Sequence, residues 1–123
     1  MQAVATLTVC NYGDAPVRTS PGFHPYFPAV GTQFDFNGAP YDADYIAHTE
    51  FVASPSDTHV AFDGLKLDIR TQNLPVYALW SDRNGQYTCA EPTAEGNAFL
   101  SPARGGQFVS GHGKKRYGMK IRL

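Results

Sequence analysis

The chain of 123 residues has the length of one ordinary domain, and a chain of this size buries roughly 65% of the surface its unfolded form exposes, enough for a real core. Twelve Gly, nine Pro, seven Tyr, eight Phe and one Trp in a chain only 17% charged favour short strands and turns over long solvated helices. A net charge of -1 gives no field to gather a polyanion, no apolar run approaches the roughly 20 residues of a membrane span, and positions 1–9 lack a basic region followed by a hydrophobic stretch, so the expectation is a soluble, cytoplasmic protein with neither nucleic acid nor membrane as partner.

In chain order, residues 3–10 alternate small or apolar with polar side chains and stop at the turn cluster Asn11, Tyr12, Gly13 and Asp14, which predicts a strand and its end. Four prolines (Pro16, Pro21, Pro25 and Pro28) between positions 15 and 28 exclude a helix or an interior strand there, leaving a loop that the rings of Phe23, Tyr26 and Phe27 keep ordered. Residues 32–36 alternate ahead of Asn37-Gly38, the pair suited to the positive backbone angles of a tight hairpin turn, so a strand, a turn and a short partner follow. Residues 45–53 are ambiguous between helix and strand, and β-branched and aromatic content tips them to strand. Short strands are then expected at 58–62, 65–70, 76–81 and 87–91, separated by turn signals at 63–64, 72–75 and 82–85. An irregular stretch reaches Gly105-Gly106, and strands at 107–110 and 117–123 close the chain. Turn signals every 8 to 12 residues without an amphipathic helix predict a single all-β domain over residues 1–123, an antiparallel β-sandwich or barrel.

Several features carry no chemistry on this reading. Cys10 and Cys89 each sit in a strand-like apolar segment and form no CxxC pair, so two reduced structural thiols are expected rather than a disulfide. His48, His59 and His112 lack zinc-ligand spacing, so no metal and no other cofactor is expected. Lys114, Lys115, Arg116, Lys120 and Arg122 hold half of the 10 basic residues. The first three fall in an expected turn, and Lys120 and Arg122 alternate with Met119, Ile121 and Leu123 as the solvated face of a strand.

Two titratable residues stand directly before prolines, His24 in GFHPYF (22–27) and Glu91 in CAEPT (89–93). A following proline excludes the helical region and holds the preceding residue extended, which restricts where its side chain points. Glu91 ends an apolar strand, where partial burial disfavours its ionised form and raises its pKa as a general base requires. His24 lies among Phe23, Tyr26 and Phe27, rings suited to walling a sugar. The plainer alternative makes His24 a loop cap and Glu91 a rim carboxylate.

The GFHPYF and CAEPT motifs, in that order, resemble those of the aldose 1-epimerase (galactose mutarotase) family and particularly its shorter mutarotase-like branch. Residues 7–16 look like the family's strand before the histidine loop, Leu79, Trp80 and Ser81 like the strand before its glutamate, and residues 100–123 like its terminal strands. The resemblance implies an antiparallel β-sandwich of the galactose mutarotase-like (supersandwich) type and cofactor-free interconversion of the α and β anomers of a hexose or hexose phosphate, with Glu91 as base and His24 as acid. It further implies that Asp57 binds sugar hydroxyls, against an Asx turn after Pro55, and that Phe23, Tyr26 and Trp80 line the cleft, although a lone Trp inside a strand is more often core. Family members are more than twice this length, and their N-terminal half supplies further strands, an arginine and another histidine for which neither Arg18 nor His48 substitutes. The chain thus resembles the C-terminal half of such a protein. It is expected to cover its incomplete sandwich as a homodimer or with a chain supplying the missing half. The alternatives are a non-catalytic carbohydrate-binding module or a structural half completing another chain.

Overall fold

The structure, a computed structural model, describes residues 1–28, 33–42, 48–62, 64–81, 87–100 and 107–123. Twelve strands run β1 (Gln2–Cys10), β2 (Val17–Arg18), β3 (Tyr26–Pro28), β4 (Gln33–Phe36), β5 (Ala39–Asp42), β6 (Glu50–Ala53), β7 (Asp57–Phe62), β8 (Leu65–Gln72), β9 (Val76–Trp80), β10 (Tyr87–Thr93), β11 (Phe108–Val109) and β12 (Lys114–Arg122), with a 3-10 helix at Gly96–Leu100. Among the described residues all pairings are antiparallel. They form a six-stranded sheet in the order β1-β12-β8-β7-β4-β5, a four-stranded sheet in the order β3-β10-β9-β6, and the small pair β11-β2. Among the described residues no helix is long and apolar enough to cross a membrane.

Strand alternation builds the sandwich. Phe34, Phe36, Val60, Phe62, Leu67 and Ile69 project from the large sheet onto Phe27, Tyr77, Leu79 and Ala90 of the small one, and these ten buried side chains form the main core. Because side chains alternate along a strand, the residues between them on the small sheet face away from that core. A second cluster of Leu74, Ala94 and Tyr117, with Val9 and Phe23 packed against it, closes one end. The Asn37-Gly38 turn has positive φ at both residues (53° and 82°), and Phe36 pairs with Ala39 across it, the two-residue hairpin that its sequence predicts.

Three segments differ from the sequence-based expectation. The proline-rich stretch expected to be a loop contains β2 and β3. Both are very short, and β3 lies at a sheet edge, where Pro28 costs no ladder bond. The basic run Lys114, Lys115 and Arg116, expected in a turn, begins β12, because the ladder with β1 extends to Cys10 opposite Lys114. Beyond Glu91 the strand continues through Pro92 to Thr93. Of the expected features, Thr32, residues 45–47, Asp63, the 82–85 turn and residues 101–106 lie outside the described residues. Met119 and Ile121 pack against the core as their alternation with Lys120 and Arg122 implies.

Ile69 is fully buried in β8, with paired strands on both sides. Ile69→Ala should therefore cost about 2–5 kcal/mol of unfolding free energy, whereas Val4→Ala, at a residue 65% exposed on β1, should stay within about 0.5 kcal/mol; urea denaturation of both variants measures the contrast.

Candidate active site

The outer face of the four-stranded sheet carries the candidate site residues. β3 pairs with β10 so that Phe27 faces Thr88 and Tyr26 faces Cys89, and an isolated bridge sets Gly22 opposite Thr93 in the same register. Continuing that register places His24 directly across from Glu91. The loop before β3 is held there by hydrogen bonds from the Phe23 N–H to the Pro92 carbonyl (3.0 Å) and from the Ala94 N–H to the Pro21 carbonyl (2.9 Å). A Cβ on Gly22 would lie 3.1 Å from both the Pro92 oxygen and Thr93 Cγ2, so glycine permits the close approach. Pro92 fits inside β10 because its carbonyl, and with it its missing N–H, is on the side of this loop, ahead of β3.

His24 Nε2 lies 2.8 Å from Glu91 Oε1, with the imidazole side chain 48% and the carboxylate 19% exposed. Burial raises the Glu91 pKa above the ordinary carboxylate range, and the neighbouring His24 partly counters the rise. The Tyr26 ring stacks on His24 with centroids 4.5 Å apart and planes 22° apart, and Trp80 meets the imidazole edge-on at 6.2 Å. Tyr87 bridges these two rings, 4.9 Å from Tyr26 and 5.9 Å from Trp80.

The structure thus brings together His24, Glu91, Tyr26 and Trp80, and places Trp80 on the outer face rather than in the core. It does not bring Phe23 or Asp57 to them. Phe23 points to the opposite side of its strand, into the cluster of Leu74, Ala94 and Tyr117. Asp57 sits on the solvent face of the other sheet, 2.8 Å from Arg70 Nε, with the core between it and His24. Arg18 is bound to Glu95 (3.0 Å) and to the Ala98 carbonyl (3.2 Å), and Glu95 also accepts the Gln107 N–H. Sequence reasoning missed Tyr87, although alternation along 87, 89 and 91 puts it on the face of Glu91.

No family model and no curated protein matches the sequence. Among solved structures, the chain superposes on a protein of Escherichia coli K12 described as a "putative aldose 1-epimerase" with a TM-score of 0.72 and 17% identity, over 98% of this chain and 55% of that one. It also superposes on the Slr1438 protein of Synechocystis sp. PCC 6803, with a TM-score of 0.71 and 17% identity, over 98% and 50%. The chain has the fold of these proteins. It spans about half the length of each.

Both cysteines are free, Cys10 exposed and Cys89 buried. Burial, reinforced by the Glu91 charge, pushes the Cys89 thiol up to about 12. In the native protein Cys10 alone should react promptly with a disulfide reagent, and Cys89 only after unfolding. Fast modification of Cys89 in a folded Cys10→Ser variant would contradict the burial.

Proposed function

We propose that the chain carries the acid/base pair of an aldose 1-epimerase-type site, acting on a hexose or hexose phosphate. The observation that supports this reading most is the 2.8 Å contact between His24 and Glu91 on a face lined by Tyr26, Trp80 and Tyr87. The sugar opens this contact and lies against the rings, its apolar C–H face on an aromatic plane. Glu91 takes the proton of the C1 hydroxyl while His24 gives one to the ring oxygen, the bond from C1 to that oxygen breaks, and the open-chain aldehyde forms. Rotation about C1–C2 turns the other face of the aldehyde to the C5 hydroxyl, and the pair with roles reversed closes the opposite anomer. The raised proton affinity of Glu91 suits a base that must hold a proton between the two half-reactions.

Freshly dissolved α-glucose or α-galactose should relax to its anomeric equilibrium faster with the protein than in buffer, followed by polarimetry or NMR. His24→Ala and Glu91→Gln should each lose about 100-fold or more of the acceleration while keeping the wild-type melting curve. Binding of the sugar without faster relaxation would instead identify a carbohydrate-binding module.

The same reading includes association and compartment. β1 is a nine-residue edge strand without a charged residue or proline, lacking the usual protections of a sheet edge. Beside it opens an apolar cleft of about 350 Å³ walled by Ala3, Phe27, Leu65, Leu67, Ile121 and Leu123 among others. These features support a second copy, or a chain supplying further strands, as the cover. The two free thiols fit a reducing cytoplasm. Light scattering should give about twice the 13.4 kDa chain mass, and Val4→Lys on β1 should shift it to one chain. A compact monomer at all concentrations would count against self-association.

A further inference from the structure

Beneath the contact between His24 and Glu91 lies a third polar atom. Cys89 stands two residues before Glu91 on the same face of β10, and a His24 nitrogen, the Cys89 sulfur and a Glu91 oxygen all lie within 4.8 Å of one another. β10 and the loop before β3 supply the three groups, so no ligand spacing marks the set in the linear sequence.

We propose that His24, Cys89 and Glu91 form a binding site for a divalent transition-metal ion of the zinc class. Tetrahedral zinc, with about 2.3 Å to sulfur and about 2.0–2.2 Å to nitrogen and oxygen, sets its ligand atoms about 3.4–3.6 Å apart. The imidazole and carboxylate, in direct contact at 2.8 Å, open by about 0.6 Å to admit the ion, and the sulfur closes by no more than about 1.4 Å. Rotation of the His24 and Glu91 side chains supplies such shifts, since the backbones are fixed by the register while both side chains reach solvent. One thiolate, one imidazole and one carboxylate make a mixed soft and borderline set that favours zinc over magnesium or calcium. A doubly charged ion with a thiolate and a carboxylate leaves the centre formally neutral, and the ion displaces the thiol proton to solvent on binding. The half-exposed side of His24 leaves a fourth position open to water. Metal and sugar compete for the same imidazole and carboxylate, but ion binding does not depend on the catalytic reading.

Titration of the folded protein with Co²⁺, in a thiol-free reductant, should produce a near-ultraviolet sulfur-to-cobalt charge-transfer band saturating at one equivalent, which Zn²⁺ abolishes. Cys10→Ser should leave the band unchanged and Cys89→Ser should remove it. Because Cys89 is buried and its replacement risks the fold, His24→Ala and Glu91→Gln provide a second arm: each should weaken Zn²⁺ binding about tenfold or more in calorimetry. A folded protein without the band, a band that survives in Cys89→Ser or is lost in Cys10→Ser, or unchanged zinc affinity in either second-arm variant would overturn the site.

Discussion

The antiparallel register between β3 and β10 is the constraint on which the candidate site depends. Tyr26 opposite Cys89 and Gly22 opposite Thr93 leave His24 one possible partner across the strands, Glu91. Each residue precedes a proline, which holds its backbone extended, so the two side chains leave adjacent strands on the same face and meet at 2.8 Å. A slip of one residue would turn His24 toward the core and bring Phe23 outward. Two features oppose that slip: Phe23 is packed beside Leu74 and Tyr117, and Phe27 is committed to the main core.

Much of this was legible in the sequence, for identifiable reasons. The Asn37-Gly38 turn, the alternation of β7 to β10 and the prolines after His24 and Glu91 are local signals, and local signals survive folding. What was not legible depends on pairing partners distant in the chain. The start of β12 at Lys114 is set by β1, more than a hundred positions earlier. The placement of Phe23 depends on which side of its strand faces Tyr117, and that of Asp57 on which of two sheets receives β7. Tyr87 lay within reach of sequence reasoning, since only the period of two separates it from Glu91. The sequence predicts Cys89 as a reduced structural thiol; in the structure it is free and buried, and its nearness to the imidazole follows only once β3 is paired.

The core contacts and the candidate site occupy opposite faces of the same small sheet. Phe27, Tyr77, Leu79 and Ala90 hold it to the large sheet, while Tyr26, His24, Glu91, Tyr87 and Trp80 alternate with them on the outside. The outer side chains can therefore change with little loss of core packing, provided the strand they stand on keeps its register. Cys89 is an exception. It lies on the outer face yet is fully buried, roofed by the groups around it, so changes there affect both packing and electrostatics.

The edge of the small sheet bears on the site through β3. As an edge of the four-stranded sheet, β3 exposes the backbone groups of its outer side, and any strand added there would extend the very face that carries His24. The apolar cleft at Met1, Ala3, Phe27 and Pro28 lies at the foot of the same strand, so a partner filling the cleft abuts β3. His24 is half exposed and Tyr26 is 56% exposed. In that setting water screens the interaction between His24 and Glu91, and any cover over β3 would strengthen it by lowering the local dielectric. On the proposed acid/base reading, covering the apolar cleft and strengthening the contact between His24 and Glu91 are thus two consequences of one contact.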